Sequence, residues 1–284
     1  MNIKKIGVLG AGTMGQGIVQ ISAEAGFTVV MVDIAQNIVD GAMKRTTKTW
    51  DKAIEKGKIT EEAKKQNLQR ITAGTDMKLF SDCDVVIEAV FEEIGIKTSA
   101  FKQLDAICPA HTILATNTSA LSITEIAAST KRSKTSLGMH FFNPVPAMKL
   151  VEVIPAAETS EEVVETIMDL CKKIGKDPVR AKDTPGFLVN RILTPYMAEA
   201  MIAYQEGLAS AADIDKAMKY GAGMPMGPLA LADMVGLDVC LHVGEYFLNE
   251  FGDSKYRPAL ALKQKVRAGH LGIKTGKGFY DYSK

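Results

Sequence analysis

Hydrophobic positions in this chain follow two successive patterns. Up to about residue 180, short, largely apolar strand-like stretches (6–9, 28–32, 71–74, 84–90, 112–115, 135–142 and 149–154, with a last short strand over 177–180) are separated by longer stretches whose apolar residues recur at helical intervals. Short unbroken runs are the mark of strands covered on both faces, because neither face can be polar. Helices are predicted between them: one ending near Gly26, others over 35–58, 60–68, 96–107 and 160–174, and one capped by Ser122 or Thr124. Thr60, followed by Glu61 and Glu62, has the character of a helix N-cap with acids in the first turn. Strands alternating with helices predict an α/β fold with a doubly wound, mostly parallel sheet. Past Asp183-Thr184-Pro185-Gly186 the strand signal stops, and 187–205, 210–218, 229–251 and 259–268 all read as helices. Two domains follow: residues 1–184, a sheet domain, and residues 185–284, smaller and all-helical.

The first 33 residues carry the sharpest local signal. An apolar run meets Gly10, Gly12 and Gly15 in GxGxxG spacing, a helix follows, and the second apolar run ends on Asp33. Gly10 permits a sharp turn, Gly12 leaves room for a pyrophosphate, and Gly15 lets the helix lie close on the strand; the helix N-terminus then offers N–H groups and a positive dipole end to phosphates. The acid at this distance suits both ribose hydroxyls of NAD and would repel the 2′-phosphate of NADP. A lone GxGxxG is weak, but strand, helix and acid agree here, and the reading is a Rossmann-type domain that binds NAD. The GAGTMG turn places Gly10, Gly12, Thr13, Met14 and Gly15 in the cofactor-binding set, together with Asp33.

Composition narrows the field without naming a reaction. The net charge is +1 over 284 residues, which argues against nucleic acid or a membrane surface as the main partner. No apolar run nears the roughly 20 residues that span a bilayer. The first strand begins within a few residues of Met1, leaving no room for a signal or transit peptide. Cys83, Cys108, Cys171 and Cys240 are scattered with no CxxC pair, which fits reduced, buried thiols of a cytoplasmic protein rather than disulfides or a metal site.

A cofactor that accepts hydride needs a partner for the hydroxyl proton, and histidine is the usual one. His111, His242 and His270 fall in a loop, a helix and a Gly-flanked turn. His140 ends a buried strand on the carboxyl edge of the sheet, where ligands bind in such folds. Alone, that position fits a core histidine as well as a base. Glu152 changes the balance: it lies inside the apolar strand KLVEVIP, where a carboxylate is costly unless paired. The two strands are successive, so the acid beside the imidazole is the arrangement expected, with a solvent-facing Glu152 as the alternative. Asn190 near the start of the second domain, and Asn117 and Ser119 at a strand exit, can offer polar groups to a substrate oxygen or can serve as caps and turn residues. The stretch 35–58 carries Lys44, Arg45, Lys48, Lys52, Lys56 and Lys58. It fits a solvated helix face or a basic surface for phosphates at a substrate's far end.

The stretches GAGTMG, VIEAVFE, ATNTSALSI, GMHFFNPVPAMKLVEV, DTPGFLVNRIL, GPLALADMVGLD and GKGFYDY resemble the L-3-hydroxyacyl-CoA dehydrogenase family from end to end. In length the chain is similar to the bacterial 3-hydroxybutyryl-CoA dehydrogenases, not to the large multifunctional β-oxidation proteins. The resemblance implies an enzyme that interconverts (S)-3-hydroxybutyryl-CoA and acetoacetyl-CoA with NAD. It implies His140 as general base paired with Glu152, and Ser119 and Asn190 at the substrate oxygen. Glu92, Lys97 and Asn117 would line the nicotinamide and ribose side, Thr49 and Lys56 would contact CoA, and a homodimer would form through the helical domain. Ala120 departs from the family's pattern, which commonly has a second Ser there. Related proteins leave two alternatives: a sugar-acid dehydrogenase acting on a gulonate-type substrate, and a non-catalytic, crystallin-like cofactor-binding protein.

Overall fold

The fold was read from a computed structural model of the chain, which describes residues 1–283; Lys284, the last residue of the expected second domain, lies outside the described residues. Two compact units separate at Phe187/Leu188. The first unit contains, in chain order, β1 (Lys5–Leu9), α1 (Thr13–Glu24), β2 (Thr28–Val32), α2 (Gln36–Glu55), α3 (Glu61–Gln69), β3 (Ile71–Gly74), β4 (Val85–Glu88), α4 (Ile94–Ile107), β5 (Ile113–Thr116), α5 (Ile123–Ala128), β6 (Ser136–Phe141), β7 (Leu150–Pro155), α6 (Glu161–Lys173) and β8 (Asp177–Arg180). The strands form one sheet in the order β3-β2-β1-β4-β5-β6-β7-β8. It is parallel up to β6; β7 runs antiparallel to β6, and β8 follows β7 in parallel. This is the doubly wound, mostly parallel Rossmann-type sheet that the alternation predicts.

The apolar runs are explained by burial on both faces. Ile6, Val8, Val29, Met31, Val85 and Ile87 point into one core cluster, while Leu9, Val30, Val32 and Val86 point into a second on the opposite side of the sheet. Two helix starts follow side-chain caps read from the sequence: Thr60 accepts from the Ala63 amide and Ser122 from Glu125. The structure adds a third, in which Ser160 accepts from the Val163 amide. Ser122 rather than Thr124 is therefore the cap of α5.

The second unit is helical: α7 (Val189–Gln205), α8 (Ala211–Gly221), α9 (Pro228–Val235), α10 (Leu237–Phe251) and α11 (Leu260–Arg267). The expected single helix over 229–251 is two. Gly236 breaks it with φ +104°, a conformation open to glycine and strained for other residues. Met197 and Met201 are core, while Met224, Met226 and Met234 are exposed. All four cysteines are buried free thiols. Burial pushes Cys83, Cys171 and Cys240 up to about 12 and Cys108 up to about 11. Among the described residues no helix is long and apolar enough to cross a membrane.

Candidate active site

The GAGTMG turn joins β1 to α1. Gly10 has φ +107°, and a side chain there would place its Cβ 2.5 Å from the Ala89 carbonyl oxygen. A Cβ on Gly15 would come within 1.9 Å of the Gly10 carbonyl oxygen, so only glycine lets the helix sit this close. Gly12 is different: no atom lies within 4 Å of where its Cβ would be. It caps α1 without any side-chain bond, so Thr13 and Met14 open a helix end whose positive dipole faces open space. That is the shape a pyrophosphate requires. Asp33, one residue past β2, accepts from the Ala11 amide at 2.6 Å and from the Ile34 amide at 2.7 Å. Its oxygens retain lone pairs for further donors. The residues present therefore fit a dinucleotide.

Arg45 adds a contact that the basic pattern of α2 did not disclose. Its guanidinium donates to the Gln16 side chain at 2.7 Å and to the Ala11 carbonyl at 3.2 Å. Asp33 and Arg45 thus hold the two ends of the Gly-rich turn's Ala11 residue. Further along α2, Thr49 is exposed and donates to the Arg45 carbonyl at 3.0 Å, and Lys56 is exposed at the helix end.

At the carboxyl ends of β4 and β5 the structure gathers several predicted residues. Glu88, the last residue of β4, is fully buried and accepts from Lys97 Nζ at 2.8 Å, the Val90 amide at 2.7 Å and the Thr116 hydroxyl at 2.7 Å. Lys97, 1 % exposed, also lies 3.3 Å from Glu92 Oε2. The other Glu92 oxygen accepts from the Thr118 hydroxyl at 2.6 Å, the Ser119 amide at 2.7 Å, the Ser119 hydroxyl at 3.1 Å and the Ala120 amide at 3.2 Å. One carboxylate therefore shapes the turn that carries Ser119. Burial pushes the Glu92 carboxyl up, but the Lys97 ammonium, the Thr118 hydroxyl and the Ser119 amide outweigh it, and the group titrates below its ordinary value. Asn117 donates its amide to the Glu88 carbonyl at 2.8 Å, and its side-chain oxygen accepts from the Phe141 amide at 2.9 Å. Glu88, Thr116 and Thr118 were not singled out as partners in the sequence. The signal available was Glu88 at the end of an otherwise apolar strand.

His140 lies on β6 and Glu152 on β7, directly opposite each other in the antiparallel register. The imidazole Nδ1 is 2.6 Å from Glu152 Oε2. His140 is 5 % exposed and Glu152 not at all, so the solvent-facing alternative for Glu152 is excluded. Opposite an ionised carboxylate, which only accepts, the tautomer that suits this contact carries its hydrogen on Nδ1 and leaves Nε2 as the basic nitrogen. Because β6 is parallel to β5 and β7 returns antiparallel, this pair sits at the same sheet edge as Glu88 and Asn117. His111 is exposed, 3.9 Å from Asp84. In the second unit, Asn190 is the second residue of α7, half-buried in its first turn. The expected helix start at residue 187 shifts to Val189, because the chain before it is not helical.

Residues 5–184 match the family model described as 3-hydroxyacyl-CoA dehydrogenase, NAD binding domain. Residues 186–282 match that of the 3-hydroxyacyl-CoA dehydrogenase C-terminal domain. The chain is 50 % identical over 284 residues to a probable 3-hydroxybutyryl-CoA dehydrogenase of Bacillus subtilis, covering 100 % of this chain and 99 % of that one. It is 49 % identical over 280 residues to the 3-hydroxybutyryl-CoA dehydrogenase of Clostridioides difficile, covering 99 % and 100 %. The crystal structure of (S)-3-hydroxybutyryl-CoA dehydrogenase PaaH1 from Ralstonia eutropha is similar with a TM-score of 0.98 and 47 % identity over the full length of both chains.

Proposed function

Because the chain belongs to the 3-hydroxyacyl-CoA dehydrogenase family, an NAD-dependent oxidoreductase family, we propose that it interconverts (S)-3-hydroxybutyryl-CoA and acetoacetyl-CoA, with His140 as the proton-transfer group. The observation that supports this reading is the buried His140–Glu152 pair at 2.6 Å. A protein that only bound a cofactor would have no physical need to desolvate a carboxylate against an imidazole.

In the oxidising direction, His140 Nε2 takes the proton of the 3-hydroxyl while the C3–H bond breaks. When bound, NAD supplies the hydride acceptor. Glu152 keeps the Nδ1 hydrogen in place and stabilises the imidazolium that forms. Ser119 and Asn190 serve the substrate oxygen as hydrogen-bond partners, so that charge developing there is met by fixed dipoles. In the reducing direction His140 returns the proton to the 3-keto oxygen. Gly10, Gly12, Thr13, Met14, Gly15 and Asp33 hold the dinucleotide, with Glu92, Lys97 and Asn117 on its nicotinamide side. Thr49 and Lys56 meet the CoA moiety from α2.

The same reading assigns residues 1–184 to the cofactor and 185–284 to substrate contact and dimerisation, in a cytoplasmic homodimer. Exposed Met224, Met226 and Met234 on the helical unit support an interface there. Sedimentation equilibrium giving a monomer at micromolar concentration would remove that part. For the reaction itself, His140→Gln is expected to lower acetoacetyl-CoA reduction by about 10²- to 10⁴-fold while NADH binding, followed by fluorescence, is retained. Turnover within threefold of wild type, roughly 0.6 kcal/mol of barrier, would overturn the assignment.

A further inference from the structure

Phe187 is the one residue other than glycine with a positive φ among the described residues, at +48°. For a bulky side chain this left-handed conformation is strained and persists only where the surroundings over-determine it. The surroundings here are specific. The Phe187 amide donates to the Thr184 carbonyl at 2.9 Å, and its ring, 4 % exposed, is packed with Ile123, Ile154, Ala156 and Ala181. The ring also lies against the candidate base, with its centroid 5.6 Å from that of the His140 imidazole at an interplanar angle of 59°. Phe142, two residues beyond His140, makes a second contact at 4.4 Å and 50°.

These contacts complement the bond to Glu152. A hydrogen bond to Nδ1 fixes one atom of the imidazole in its own plane. It leaves the ring able to swing about that atom, which moves Nε2. Two aromatic side chains touching the ring restrict that swing. An extended or right-handed backbone at residue 187 would turn its side chain elsewhere, so the strained conformation and the ring contact are one feature.

We propose that Phe187 is a positioning residue for His140: its left-handed backbone delivers an aromatic ring that, with Phe142, confines the imidazole which Glu152 holds at Nδ1. The proposal rests on His140 as the proton-transfer group, so its test reads the imidazole separately from turnover. In the full chain, Phe187→Leu keeps the backbone position and removes the ring. It lowers kcat by about tenfold to a hundredfold, as misplacement of a reacting group by about an ångström does. KM for acetoacetyl-CoA and for NADH stays within about threefold, because no binding group is touched. The relaxation of the ¹³Cε1–H group of His140, assigned by its loss in His140→Gln, reports a more mobile ring. Phe187→Tyr, which keeps an aromatic ring, recovers most of kcat. Should Phe187→Leu fail to fold, the half-exposed Phe142→Leu gives the same two readouts with a smaller loss. An unchanged His140 relaxation overturns the proposal, as does a kcat loss that merely tracks the fraction of folded enzyme. If His140→Gln stays active, the assignment of the base falls, while the relaxation measurement still decides whether Phe187 holds the ring.

Discussion

Glu88 and Glu152 are both carboxylates without solvent exposure at the carboxyl edge of the same sheet, and they are compensated in different ways. Glu88 is enclosed by an ammonium, a backbone amide and a threonine hydroxyl. Lys97, which supplies the ammonium, is itself shared with Glu92. Glu152 has as its partner an imidazole that is cationic only when protonated. The first arrangement is a closed network of an ammonium, an amide and a hydroxyl around one carboxylate. The second contains a group whose charge can change during a reaction. Both avoid an uncompensated buried charge, and under the proposed function the imidazole of the second is the group that exchanges a proton.

The contrast predicts which property each cluster loses when broken. Glu152→Gln is expected to lower turnover by about 10³-fold, through loss of the tautomer control that a carboxylate exerts on a catalytic histidine, with little change in the urea midpoint. Lys97→Met leaves Glu88 buried without its cation, and is expected to cost about 3–5 kcal/mol in urea unfolding. If Glu152→Gln unfolded the protein and Lys97→Met did not, the two clusters would have exchanged roles and the comparison would fail.

A smaller effect comes from Glu92. Its carboxyl titrates below the ordinary value in the folded protein, so its contribution is fully present above the unfolded value of about 4.3. That contribution is lost as pH falls through the lower folded value. Urea unfolding followed from pH 6 to pH 3 should therefore show an acid-side loss that Glu92→Gln flattens. The change is modest because the Glu92 side chain is 40 % exposed and solvent screens its interactions. An identical acid limb in the variant would mean that Glu92 stabilises the Ser119 turn no better when charged.

Much of the first unit is legible in the linear chain because its signals are local. The GxGxxG turn, the apolar runs and the caps Thr60 and Ser122 each act within a few residues, and the cap bonds they imply form. Boundaries shift by one to three residues where helix ends leave backbone groups to whatever partner is near. The one helix read as continuous and found broken, at Gly236, shows the limit of periodicity. Apolar spacing carries across a glycine whether or not the backbone does.

What the sequence determined by itself was the order and type of the elements, the dinucleotide turn with its acid, and the presence of a histidine and a glutamate on successive strands. These follow from propensities and spacings that act over one or two turns. Tertiary structure alone decided that His140 and Glu152 fall opposite each other in register, that Glu88 shares Lys97 with Glu92, that Arg45 reaches back to Ala11, and that Phe187 turns its ring onto the imidazole. Each joins residues that are not side by side in the chain. Their meeting depends on strand order, register and loop path, which are set by burying the whole core at once rather than by any local preference.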